Sequence, residues 1–201
     1  TPGVIIVGGS KWTTAFAEAL KSAEIPVLMT DPNFGNLRGA RTAGIETFSG
    51  DILSEAAEHR LELVSFATII AATNNDAYNT LVATDLAPEF GRENVFQILR
   101  QKSESARHQL PRTLGGRWFG PDLEHAELEA LMRKGWGFRT TGLTDEFGAA
   151  DWRAANPESH LVAQILPNGT IQLIRKDEEI GKATETRIIA LRPPEDVAAA
   201  S

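Results

Sequence analysis

The sequence predicts an α/β fold: a doubly wound parallel sheet with helices on both faces (three αβα layers), followed by a small C-terminal β-rich module. Three observations predict it. Val4-Ile5-Ile6-Val7 runs straight into Gly8-Gly9 and then into an alanine-rich helical pattern, which reads as buried strand, tight turn and helix. Phe66 to Ala72 is a continuous apolar run broken only by Thr68, as expected of a central strand covered on both faces. Apolar strands alternate with helical patterns as far as Lys134, and past Gly135 the period changes from helical to two. The expected division is residues 1–134 for the α/β domain and 135–201 for the β-rich module.

Taken in order, helix A follows the first strand from about Trp12 to Ser22, with Ala15, Phe16, Ala19, Leu20 and Ala23 at helical spacing. Val27 to Thr30 is strand two. Pro32, Asn33 and Gly35 mark a loop, and a short helix over Leu37 to Ala43 stops at Gly44. Ile45 to Ser49 reads as strand three, Ser54 to Leu61 as a short polar helix, and Phe66 to Ala72 as strand four. Thr73-Asn74-Asn75-Asp76 is its exit turn. Asn75 or Asp76 caps the next helix, in which Tyr78, Leu81, Val82 and Leu86 share a face until Pro88 and Gly91 end it. Val95 to Leu99 is strand five, Gln101 to Gln109 a polar helical connection, and Gly116 to Phe119 strand six. Pro121 to Lys134 carries the strongest helix signals, with Pro121, Asp122 and Glu124 at its start, Arg133 and Lys134 in its last turn and Gly135 after it. The β-rich module holds strands over Trp136 to Leu143 and His160 to Leu166, a hairpin turn at Pro167-Asn168-Gly169-Thr170, and strands over Ile171 to Ile174 and Arg187 to Leu191. The order through strand six is that of a Rossmann-like sheet.

Composition narrows the function classes. The chain has 201 residues, 42% of them hydrophobic, enough for a sizeable core. Its formal charge of −7, with basic residues interleaved among acidic ones, argues against nucleic acid or an anionic membrane surface as the main partner. The absence of cysteine excludes disulfides, thiolate zinc sites and cysteine nucleophiles. No apolar run approaches the ~20 residues of a membrane-spanning helix, and the fragment is expected to be soluble. Thr1-Pro2 leads at once into the first strand, so a piece of a longer protein is expected.

The glycine turn carries the chemistry. A helix that begins just after a strand aims unpaired N–H groups and its positive dipole end at the strand's carboxyl end, where a phosphate can sit. Against the pattern G-x-G-x-x-G the chain reads Gly8-Gly9-Ser10-Lys11-Trp12-Thr13, so only the first glycine stands in place. Ser10 and Thr13 add hydroxyls that can donate to phosphate, and Lys11 a point charge, unless Lys11 is an ordinary surface lysine. Trp12 either walls the site or only packs. Asp31 closes strand two, 23 residues after Gly8, where an acid holds ribose hydroxyls and repels a 2′-phosphate, favouring NAD over NADP; it can also be a simple cap. Asn33 lies just beyond. Asp51 and Ile52, after strand three, are candidates for the adenine, although Asp51 can merely cap the Ser54 helix. Thr73 and Asn74 end strand four at the centre of the cleft. Arg100, after strand five, is a candidate phosphate partner or a salt-bridge residue. The four histidines show no metal-ligand spacing, and His59 with Glu55 and His125 with Glu129 read as exposed helix pairs. No P-loop and no Gly-x-Ser-x-Gly elbow occurs.

These residues resemble the RCK or KTN type nucleotide-binding domain (the TrkA N-terminal type), found on the cytoplasmic side of potassium channels and uptake systems. The matching pieces are Val4 to Leu20, Asp31, Gly50-Asp51-Ile52, Ala71 to Asp76 and the helix with Asn79, over about the first 100 residues. Gly115 to Pro121 with its helix, followed by a small β module ending Ile188 to Pro194, looks most like the cytoplasmic C-terminal region of bacterial sodium (or potassium)/proton antiporters. The resemblance implies a regulatory, non-enzymatic domain at the cytoplasmic face of the inner membrane. It would dimerise, be attached to the transmembrane transporter domain of the same longer chain, and bind NAD(H), or alternatively AMP or ATP. Three other readings stand beside it: a ligand-free dimerisation scaffold, supported by the missing glycines; an NAD-dependent oxidoreductase; and an S-adenosylmethionine methyltransferase, which a reversed seventh strand would favour.

Overall fold

The structure, a computed structural model, describes residues 2–54, 57–58, 61–98, 115–118, 120–175, 178, 180 and 184–195. Its first sheet has six parallel strands in the order β3-β2-β1-β4-β5-β6, built from β1 (Gly3–Val7), β2 (Val27–Asp31), β3 (Glu46–Ser49), β4 (Phe66–Ala71), β5 (Val95–Gln97) and β6 (Arg117–Trp118). This is the expected doubly wound topology, and the strand order reverses between β1 and β4. The two strands stay paired to their carboxyl ends, and the connections that leave them run to opposite faces of the sheet and leave a crevice between them. No reversed strand joins this sheet among the described residues.

Strand β1 shows why the centre of the sheet is apolar on every residue. Val4 and Ile6 face one core and Ile5 and Val7 the other, all at most 1% exposed. Helix α1 (Lys11–Ser22) covers the first face through Trp12, Phe16, Ala17 and Leu20, with Ala15 and Ala19 only partly buried. A short α2 (Arg38–Thr42), entered through a 3-10 turn over Phe34–Leu37, stops at Gly44 in the left-handed region (φ 76°). Helix α3 (Asp76–Phe90), capped by Asn75, covers the second face with Val82, Ala83 and Leu86. Leu81 lies off that stripe at 51% exposure, and Pro88 is carried inside the last turn, so the helix reaches Phe90.

Helix α4 (His125–Arg133) starts four residues later than its proline suggested. Gly120 takes φ 65° and Leu123 N–H bonds the Pro121 carbonyl at 2.7 Å, so Pro121 and Asp122 belong to a turn ahead of the helix. The polar connection expected over Gln101 to Gln109 lies outside the described residues, and the Ser54 to Leu61 helix is described only in part.

The second sheet is antiparallel, in the order β7-β10-β8-β9, with β7 (Gly137–Gly142), β8 (His160–Ile165), β9 (Ile171–Leu173) and β10 (Arg187–Arg192). Strand β10 alternates cleanly: Ile188 and Ala190 pack under α5 (Ala149–Ala155) around Trp152, while Ile189 and Leu191 join the core around α1. Helix α5 was not legible in the sequence, since seven residues offer too few turns for a periodicity. Helix α1 therefore lies between the two sheets. Its Phe16 ring meets Phe138 of β7 at 5.2 Å, and Arg187 donates to the Ala23 carbonyl at 3.3 Å.

This shared core generates a prediction. Phe16→Ala should lower stability by about 3–5 kcal/mol through cavity formation, and urea unfolding should remain one transition by tryptophan fluorescence and by circular dichroism. Two separated transitions in the parent chain would contradict a core common to both sheets.

Candidate functional site

The crevice beyond β1 and β4 is a cleft of about 840 Å3 lined by the glycine turn, the α1 start, the β2 exit loop, the β4 exit turn and α4. Gly8 enters it at φ 122°, and a Cβ there would stand 2.6 Å from the Ala72 carbonyl oxygen. A Cβ at Gly9 would run into the Asn36 carbonyl. Both glycines are thus set by close approach of backbone to backbone.

Ser10 lines the cleft and is also engaged within the turn. It is the N-cap of α1, and its Oγ accepts from Thr13 N–H (3.2 Å) while Ser10 N–H donates to Thr13 Oγ1 (2.9 Å). This reciprocal pair is a capping box built with threonine at the third position. It explains why the third motif glycine is absent: Thr13 is fully buried and closes the helix end on itself. Lys11 is exposed on the rim. Trp12 is 1% exposed and belongs to the core, so its side chain is no wall of the cleft.

Asp31 is 6% exposed and organises two loops. Its Oδ2 accepts from Gly9 N–H (2.9 Å) and Asn36 Nδ2 (3.3 Å), and its Oδ1 from Asn33 N–H (2.8 Å). The carboxylate therefore ties the glycine turn to the β2 exit and lines the cleft. Asn33 lines it too, and its side chain caps the 3-10 turn through Gly35 N–H. On the β4 side, buried Asn79 of α3 accepts from both Thr73 N–H (2.9 Å) and Thr73 Oγ1 (2.6 Å) and donates to the Thr73 carbonyl (2.9 Å). That one amide holds Thr73 and Asn74 at the cleft.

Of the sequence-selected residues, Gly8, Gly9, Ser10, Lys11, Asp31, Asn33, Thr73 and Asn74 converge on this cleft. Trp12, Thr13, Asp51 and Ile52 do not line it. Ile52 is 2% exposed within the second core, and Asp51 is engaged elsewhere: its Oδ1 accepts from Tyr78 Oη (2.7 Å) and Leu53 N–H (2.9 Å). Arg100 lies outside the described residues.

Ten lining residues were not selected from the sequence, and four of them shape the site. Tyr78 lines the cleft, fixed by Asp51; burial, then the Asp51 hydrogen bond, raises its phenol pKa. Asn36 reaches Asp31. His125 and Glu129 of α4 also line the cleft, so this pair is not the exposed helix pair expected. Glu129 Oε1 accepts from Trp12 N–H at 2.8 Å, across 117 residues. A carboxylate at a partly buried helix N-terminus stabilises by about 1–2 kcal/mol. Only the i, i+4 spacing of His125 and Glu129 marked them in the sequence; their place over α1 is a matter of topology.

Burial lowers the pKa of His125, opposed by the Glu129 charge. His160, stacked on Trp136 at 5.9 Å, is lowered by burial and then by Arg153. His59 and His108 lie outside the described residues, among which no group of three or more potential metal ligands occurs. No helix among them is long and apolar enough to cross a membrane.

The family model of the TrkA-N domain matches residues 4–115, from β1 to just before β6. The chain belongs to the TrkA-N domain family. This TrkA-N chain is similar to a solved structure described as "GsuK channel bound to NAD", with 14% identity and a TM-score of 0.49, covering 97% of this chain and 37% of that one. It is also similar to "Crystal Structure of the GsuK RCK domain", at 15% identity and TM-score 0.47, covering 96% and 44%. The chain thus spans less than half the length of either. No curated protein matches it.

Two predictions follow from the site's construction. Asn79→Ala removes the acceptor for Thr73 N–H and should cost about 1–3 kcal/mol, read by denaturant titration; an unchanged midpoint would show that the β4 exit turn holds itself. Both histidines sit below the ordinary 6.5 in the folded chain, so the unfolded chain binds more protons as pH falls. Stability should decline as pH drops through about 6.5, the loss being complete below the depressed folded-state values. The decline in melting temperature over that window should shrink in His125→Gln/His160→Gln, and an equal decline would assign it to other groups.

Proposed function

We propose that this TrkA-N chain is a non-enzymatic regulatory domain that binds an adenine nucleotide, NAD(H) first and AMP or ATP as alternatives. Its occupancy would bias a cation transport domain of the same longer chain, in the first instance a sodium (or potassium)/proton antiporter, at the cytoplasmic face of the membrane. The observation that carries the reading is the convergence of the glycine turn, the Asp31 carboxylate and the Thr73-Asn74 turn on one cleft at the strand-order reversal. In open α/β sheets that crevice is where nucleotides bind, with an acid at the end of the second strand meeting the ribose. Tyr78, held by Asp51, adds an aromatic wall, and membership of the TrkA-N family points the same way.

Regulation without chemistry requires only that ligand bind two arrangements unequally. The cleft is made for that, since its walls come from the parallel sheet on one side and from α4 on the other, and α4 leads directly into β7. A homodimer is part of the reading, because paired domains convert a local closure into a relative movement that an attached membrane domain can feel. Sedimentation equilibrium would contradict this part by finding monomers at high concentration.

A second reading, a scaffold that has lost its ligand, is favoured by the self-closed Ser10–Thr13 cap. Calorimetry with NAD, NADH, AMP and ATP separates the two. The parent should bind at least one of them, and Asp31→Ala should weaken that binding by about 1–3 kcal/mol. Because Asp31 also ties Gly9 to Asn33, Asp31→Asn and a melting curve accompany it. Silence from all four ligands would leave the scaffold.

A further inference from the structure

The positive end of α1 already holds an anion supplied by the chain itself. Four of the five backbone amides from Gly9 to Thr13 are engaged internally: Gly9 with Asp31, Ser10 with Thr13, Thr13 with Ser10, and Trp12 with Glu129. A pyrophosphate lying against this turn would need those donors. Glu129 takes the Trp12 amide at 2.8 Å with a carboxylate oxygen, the same kind of acceptor a phosphate would offer. The charges around it oppose phosphate further. Among the described lining residues, the carboxylates of Glu18, Asp31 and Glu129 face the single ammonium of Lys11. Glu129 also lies beyond residues 4–115, so the family match does not include it.

We propose that Glu129 is a built-in phosphate surrogate that sets the ligand specificity of the cleft. While it is docked on Trp12 N–H, Glu129 weakens the binding of a ligand's phosphates and leaves its adenosine portion unaffected. A di- or triphosphate group takes its place at α1 only by displacing the Glu129 side chain. This inference rests on the adenine-nucleotide reading and deepens it. It assigns the sorting of nucleoside from dinucleotide to one carboxylate.

The test is calorimetry on the 201-residue chain with two probes, adenosine and NAD, in the parent, Glu129→Gln and Glu129→Ala. Gln keeps an acceptor for Trp12 N–H and removes the charge, whereas Ala vacates the position. In the parent, NAD should bind within about tenfold of adenosine, its phosphates adding little. In both variants the affinity for NAD should rise roughly tenfold or more, as expected for removing a like charge at contact distance, while that for adenosine stays within about twofold. A parent that binds NAD more than tenfold tighter than adenosine would overturn the inference without any variant. So would variants that fold, by melting curve, and bind NAD no better while adenosine binding persists; in that case the adenine-nucleotide reading survives. If neither probe binds the parent or either variant, the adenine-nucleotide reading fails and takes this inference with it.

Discussion

The structure depends on helix α1 being held between two sheets with its positive end open to a crevice. Trp12, Phe16 and Leu20 recur at one helical face and are essentially unexposed, and their burial locks the helix against the parallel sheet beneath and β7 above. With the axis locked, the N-terminal amides have one direction in which to point. That direction is the crevice beyond the carboxyl ends of β1 and β4, so a packing constraint places a partial positive charge in the cleft.

Everything near that charge is arranged to neutralise it. Asp31 takes the amide of Gly9, Ser10 and Thr13 take each other's, and Glu129 takes that of Trp12. The first of these is compatible with ribose binding, since a carboxylate that orders the turn can still accept from hydroxyls facing the cleft. The last is of a different kind, because it brings a negative charge from an element beyond residues 4–115, the span of the TrkA-N match. The altered glycine turn and Glu129 thus act on donors of the same helix end. Where the motif leaves donors bare for a diphosphate, this chain closes some of them locally and covers another from a distance.

The second sheet is more than an appendage in energetic terms. One face of β10 completes the core around α1 and the other buries Trp152 beneath α5. Helix α4 is tied to that sheet, because only Lys134, Gly135 and Trp136 separate α4 from β7 and because Leu128 of α4 shares the α1 core with Ile189 and Leu191.

Several features were legible in the residues alone, because each rests on local physics. Continuous apolar runs specified the buried strands, the change of period marked the second sheet, and the Gly8-Gly9 turn with Asp31 located the crevice. Eight of the thirteen selected residues line the cleft because strand ends and their exit turns must lie at one edge of a parallel sheet. What the chain order alone did not reveal needed contacts between distant segments. Asp51 is spent on Tyr78, Thr13 is buried as the partner of Ser10, and His125 and Glu129, ordinary in sequence, stand over the start of α1. Local pattern determined the strands, the turn and the place of the cleft; only the tertiary packing of α4 across α1 decided which charge occupies its centre, since no sequence periodicity encodes the approach of a side chain 117 residues away.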